Sequence, residues 1–111
     1  MKIKEQKKAP RFKLPSTRGV DFDLKNVKGK LLIYFYPKDD TPGCTIEAKD
    51  FSKFYKKLKK IKCELVGISK DSLESHEKFR QKYKIPFELL SDSNIKMQKK
   101  YGIWGTKSFM G

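Results

Sequence analysis

The amino-acid sequence predicts an α/β layer fold, in which helices pack on a central sheet. Three observations carry this expectation. Apolar runs of strand length start at Lys30 and Cys63, a segment of helical periodicity follows each run, and the two types then keep alternating along the chain. The order is β, β, α, β, α, β, α, so connected strands should be parallel and joined through helices.

Residues 1–11 read as a basic, flexible start. Pro10 and Pro15 bracket Phe12 and Leu14, and Gly19 leads into Val20-Asp21-Phe22-Asp23-Leu24, whose alternation predicts a short strand with one buried face. Lys28-Gly29-Lys30 supplies a turn. The continuous run from Lys30 to Tyr36 suits a strand covered on both faces. Pro37 stops it, and Lys38-Asp39-Asp40 form a loop.

A long helix is expected from about Pro42 to Lys60, with Thr41 as N-cap and proline at the first helical position. Ala48, Phe51, Tyr55 and Leu58 form its apolar stripe, and lysines from Lys53 to Lys60 fill much of the rest. Cys63 to Ser69 reads as a second buried strand. Asp71 is expected to cap the next helix, with Glu74 completing a capping box and Leu73, Phe79 and Tyr83 marking the buried side. Pro86 breaks that helix, Phe87 to Leu90 form a short strand, and Ser91 or Asp92 opens a third helix ending near Gly102.

The length of 111 residues suits one domain with a single core. No apolar run approaches the length of a membrane span, and the charged N-terminus leads into no apolar segment of the secretory kind, so the expected location is cytoplasmic. Two cysteines, Cys44 and Cys63, make no disulfide framework, no CxxC pair and no metal pattern with the single His76. The net charge of +14 invites a polyanion. Lysine supplies nearly all of it and is spread over the chain, which predicts a solvated surface with weak, salt-sensitive binding and no specific nucleic-acid partner.

Cys44 is where chemistry concentrates. If Thr41 is the cap, Cys44 is the third residue of the long helix, where first-turn amides and the positive end of the dipole favour a thiolate. It also follows a strand that ends at Pro37, at the carboxyl edge of a parallel sheet, where open α/β folds place their crevices. Such a sulfur can attack an electrophilic oxygen. Flanked by Gly43 and Thr45, Cys44 is not expected to extend the apolar stripe. The residues alone leave two roles open, a reactive thiol and an inert buried one.

Pro37-Lys38-Asp39-Asp40-Thr41-Pro42-Gly43-Cys44 resembles the peroxiredoxin motif, and with Phe35-Tyr36 before it and Thr45-Ile46-Glu47 after it looks like the subgroup called bacterioferritin comigratory protein or peroxiredoxin Q. Val66-Gly67-Ile68-Ser69, Ile85-Pro86-Phe87, Leu89-Leu90-Ser91-Asp92, Tyr101-Gly102-Ile103-Trp104-Gly105 and Lys107 to Gly111 are similar in the same order. The resemblance implies a thioredoxin-like, three-layer fold with helices on both faces of the sheet. It also implies a thiol-dependent peroxidase that reduces hydrogen peroxide and alkyl hydroperoxides without metal, haem or flavin.

By the same resemblance, Cys44 is the peroxidatic nucleophile, Thr41 bonds the thiolate and the peroxide, and Pro37 shields the pocket. The amides of Gly43 and Cys44 hold the peroxide oxygens, Glu47 orients an arginine, and Trp104 packs at the pocket rim or serves as a core aromatic.

Two departures qualify what is carried over. Many members of the subgroup have a resolving cysteine five residues after the first, and here that position is Lys49. Cys63, opening a buried strand, is expected in the core, which implies a one-cysteine enzyme reduced by thioredoxin, glutaredoxin or a small thiol. The second departure is at the C-terminus, where the family continues into further strands, a terminal helix and the arginine that activates the thiolate. None of Arg11, Arg18 and Arg80 matches that arginine's place. A chain without these parts is expected to be a fragment of the domain or a weakly active thioredoxin-fold partner or holdase. His76, in a polar stretch, is expected on the solvated surface, and the assembly is expected to be a monomer or weak dimer.

Overall fold

The computed structural model describes residues 2–5, 12–93 and 107–110. Strand β4 (Lys30–Phe35) carries the expected two-faced run: Leu31, Ile33 and Phe35 point to one side of the sheet, Leu32 and Tyr34 to the other. It is followed by α1 (Pro42–Lys60), β5 (Cys63–Ser69), α2 (Leu73–Tyr83) and β6 (Glu88–Ser91). The three strands are adjacent, parallel and in chain order, in register from Lys30↔Cys63 to Phe35↔Ile68 and from Val66↔Glu88 to Ser69↔Ser91. Bonds from the Tyr36 amide to Ile68 and from the Asp92 amide to Ser69 carry the ladders one residue beyond the strands.

Strand β1 (Lys2–Glu5) lies within the stretch expected to be flexible; its backbone instead pairs in parallel with β7 (Lys107–Met110). β7 in turn runs antiparallel to β4, which completes the order β1-β7-β4-β5-β6. Strands β2 (Lys13–Leu14) and β3 (Phe22–Asp23) form a small hairpin. Of the strand expected at 20–24, only Phe22–Asp23 is regular; a 3-10 turn at Leu24–Asn26, capped by Asp23, takes its end.

Right-handed crossovers between strands laid down in one direction put both connecting helices on the same face. Here α1 and α2 share a face, closing over Tyr34, Tyr36, Leu65, Phe87 and Leu89. The opposite face, with Ile33, Phe35, Val66 and Ile68, is covered by Phe12 and Phe22 of the hairpin region, stacked at 5.7 Å. The third helix, expected from Ser91 or Asp92 to Gly102, falls outside the described residues. The second cap differs from expectation: Ser72, not Asp71, caps α2 by accepting the Ser75 amide at 3.2 Å. The Asp71 carboxylate is turned inward, where the Asp39 amide and the Ser69 hydroxyl donate to it.

Under the helices the layer is aromatic. Tyr34 stacks on Phe51 at 4.4 Å and meets Phe87 edge-on at 5.8 Å. Its ring crosses to the neighbouring strand above Gly67, where an added Cβ would stand 2.9 Å from both Cζ and Oη of Tyr34 and 3.0 Å from Leu89. Glycine is required there by space, not by backbone angle. Gly67→Ala should therefore overpack the layer and cost about 1–3 kcal/mol. Urea unfolding checks this, and the cost should shrink in a Tyr34→Phe background, which removes one of the two clashing atoms.

Candidate active site

Cys44 stands in the first turn of α1, at the carboxyl edge of the β4–β5–β6 ladder. Contrary to the expectation, it extends the apolar stripe. It lies one turn before Ala48, is 8% exposed and packs in the cluster of Tyr34, Tyr36 and Leu65. The spacing of four residues to Ala48 was the available signal, and the polar neighbours hid it.

Thr41 is the N-cap by position, with extended angles, but its side chain caps no helix amide. Its hydroxyl instead donates to the Lys38 carbonyl at 3.1 Å, beyond the usual O–H···O range, so rotation of one O–H frees it. The first backbone bond of this helical turn runs from the Thr45 amide to the Thr41 carbonyl at 2.8 Å. The amides of Gly43 and Cys44 precede it, among the helix donors that have no intrahelical acceptor. They share the end where the dipole is positive.

Pro37 and Gly43 are exposed and Glu47 is half-buried. Burial raises the Glu47 carboxyl above its usual range. Among the described residues no hydrogen bond or ion pair holds that carboxylate. Gly43 and Glu47 also line an open, largely apolar groove of about 440 Å³ with Ile46, Phe51 and Phe54. Ile46 and Phe54 are 62% and 54% exposed. Arg18 pairs with Glu88, and Arg80 donates to the Phe87 carbonyl. Arg11 and Trp104 lie outside the described residues.

The other sulfur is placed elsewhere. Cys63 pairs with Lys30 at the amino end of β5, while Cys44 follows the carboxyl end of β4. Five strand steps separate those edges, roughly 16 Å at 3.3 Å per residue. Burial also raises the Cys63 thiol above its usual value, which keeps it protonated. Lys49 is exposed, with its ammonium 5.3 Å from the Tyr83 ring centre.

His76 lies in the core, not on the solvated surface that its polar stretch predicts. It is fully buried, with Nδ1 2.7 Å from Asp39 Oδ2 and Nε2 2.9 Å from the Leu90 carbonyl. Its polar neighbours suggested solvent, yet its place three residues after Leu73 and three before Phe79 put it on the buried side of α2. Tyr36 donates to Asp39 Oδ1 at 2.6 Å, and Ser75 donates to Asp39 Oδ2 at 2.8 Å. Sequence pattern alone gives none of these partners a role.

Comparison with known proteins meets the same residues. The AhpC/TSA family pattern matches residues 6–111. A putative peroxiredoxin bcp of Coxiella burnetii is 46% identical over 112 residues, covering all of this chain and 74% of that protein. A chloroplastic peroxiredoxin Q of Sedum lineare is 47% identical over 103 residues, covering 92% of this chain but 55% of its own length. The chain thus spans little more than half of that relative.

Among solved structures, Xanthomonas campestris bacterioferritin comigratory protein, described for its alkyl peroxide reduction activity, matches with a TM-score of 0.79 and 32% identity, over 90% of this chain and 68% of that one. The thioredoxin-like α/β fold expected from sequence is the fold of these neighbours.

Glu47 yields a prediction with a defined sign. Its raised value means that the folded chain favours the neutral carboxyl. The stability from that form is complete below the ordinary value and is lost as pH rises through the folded one. Glu47→Gln keeps a neutral side chain at every pH. At pH 7 the variant should unfold at higher urea than the parent, and the two should converge below about pH 4. Urea midpoints across that range check it.

Proposed function

The chain belongs to the AhpC/TSA family, and on that premise we propose that it is a peroxiredoxin-type thiol peroxidase with Cys44 as its nucleophile. The observation that carries the reading is the placement of one sulfur in a first helical turn without a side-chain cap, three residues after a threonine whose hydroxyl the helix does not use.

In the proposed reaction the Cys44 thiolate attacks one oxygen of the peroxide and the O–O bond breaks. The sulfur loses two electrons and becomes a sulfenic acid, while the departing oxygen takes a proton and leaves as water or an alcohol. Negative charge grows on that oxygen, which the Gly43 and Cys44 amides and the positive helix end stabilise. The Thr41 hydroxyl turns from Lys38 to bond the thiolate and the peroxide. Pro37 limits water at the loop side. Glu47, desolvated and without a cation among the described residues, suits a guanidinium partner.

The finer reading is a one-cysteine enzyme. Lys49 occupies the resolving position, and the distance of Cys63 from Cys44 along the sheet supports an outside reductant. A first external thiol condenses with the sulfenic acid to a mixed disulfide and releases water. A second thiol then frees Cys44 and leaves as the external disulfide. Thioredoxin, glutaredoxin or a small thiol fits this step.

One equivalent of hydrogen peroxide should convert Cys44 rapidly and stoichiometrically to sulfenic acid, read by mass spectrometry after trapping, with Cys44→Ser as control. Oxidation no faster than that of a free cysteine would overturn the reading and favour a thioredoxin-fold partner protein. Thr41→Val should slow the oxidation about 10- to 100-fold, the range for losing a hydrogen bond to a charged group. Because Thr41 makes no side-chain cap, this loss should come with little change in stability.

A further inference from the structure

We propose that His76 is a positioning residue for the Cys44 reaction: through Asp39 it ties strand β6 to the loop that carries Pro37 and Thr41. The role rests on the peroxidase reading of Cys44.

The grip on the loop comes from α2 and its approach. The Asp39 carboxylate accepts from Tyr36 at Oδ1 and from Ser75 at Oδ2, and His76 Nδ1 stands 2.7 Å from Oδ2. The Asp39 amide donates to Asp71 Oδ2 at 2.7 Å. Asp40, at a φ of 56°, is held by Lys82 at 2.8 Å and Tyr83 at 2.7 Å. The Lys82 hydrogen bond, with that of Tyr83, lowers the Asp40 carboxyl below its usual range. Both carboxylates preceding Thr41 are thus fastened to α2, although the reactive sulfur belongs to α1.

His76 differs from the other partners because it reaches past the loop. A carbonyl oxygen can only accept, so Nε2 must carry the hydrogen that bonds Leu90 at 2.9 Å. Nδ1 then faces Asp39 Oδ2 at 2.7 Å, with the Tyr36 hydroxyl 3.3 Å away. The imidazole is therefore a rigid two-ended strut, 0% exposed, from the backbone of β6 to the loop. Burial makes each end costly to leave unmade.

A strut of this kind matters when the approach of a small peroxide to a sulfur must be held within a fraction of an ångström. The same constraint matters less to a reagent that needs only an accessible thiol. The two reactions therefore separate positioning from folding.

The test measures Cys44 in the full chain with two reagents, hydrogen peroxide and iodoacetamide, for His76→Leu and His76→Asn. The leucine variant should lose about tenfold or more in peroxide rate while alkylation stays within about twofold, the pattern of a misplaced loop. Asparagine, whose amide can still donate toward Asp39, should recover part of the loss. Exchange at the Asp39 amide should quicken in the leucine variant. If that variant does not fold, Ser75→Ala removes one bond to Asp39 and should cost the peroxide rate about threefold.

Peroxide and alkylation rates that fall together, or that both stay at the parent's level in folded variants, would overturn the role. A parent chain that itself meets peroxide only as a free thiol would defeat the peroxidase reading, and the role with it. The amide exchange still distinguishes that outcome from a failure of the strut alone.

Discussion

Adjacent parallel strands taken in chain order impose one constraint from which most of this molecule follows. Every connection out of β4, β5 and β6 must leave from the same edge of the sheet. Pro37 to Thr41 leaves after β4, Lys70 to Ser72 after β5, and Asp92 stands at the same edge after β6. Asp39, Asp71, His76 and Cys44 are far apart in sequence, yet this geometry gathers them at one rim. The site is thus a consequence of strand order before it is one of side-chain choice.

The rim also shows two solutions to burying polar atoms. Around Asp39 the carboxylate, hydroxyls and imidazole satisfy one another, so burial costs little and the group becomes stiff. Tyr34 takes the other course: among the described residues its buried hydroxyl meets no hydrogen-bond partner, and burial raises its ionisation well above the usual value. An unmade bond of this kind costs about 1–3 kcal/mol. Burying a ring of that size returns a comparable amount, about 1.5–3 kcal/mol for a large side chain, before its stacking on Phe51 is counted. Tyr34 can therefore stay where it is, and Gly67 leaves room for it.

Regular elements were legible wherever local chemistry decides them. The long helix starts and stops where Thr41, Pro42 and the terminal lysines place it, and Cys63–Ser69 is the strand that its apolar run announces. The misreadings have a common cause. His76 and Asp71 are polar residues with polar neighbours, and only tertiary partners decide that they face inward. Asp71 had the right composition for a cap, but the Asp39 amide from another loop outcompeted its own helix, and Ser72 took over. Cys44 belongs to the stripe, although Gly43 and Thr45 mask its spacing of four from Ala48. Motif spacing offers the sulfur, the threonine and the glutamate as candidates, but not the groups that hold the loop behind them.

On the proposed reading Cys44 serves two demands that pull in opposite directions. As part of the stripe that includes Ala48 and Phe51 it is nearly enclosed, and packing alone would make it an inert sulfur. As the nucleophile of the proposed reaction it would have to meet a peroxide and direct charge toward helix amides. In the structure that sulfur packs against Tyr34, Tyr36 and Leu65 beneath the helix. Access must come from the loop side, where Thr41 and Gly43 border the turn. The reactive geometry is then set by how firmly that loop is held, and its two aspartates are held by α2.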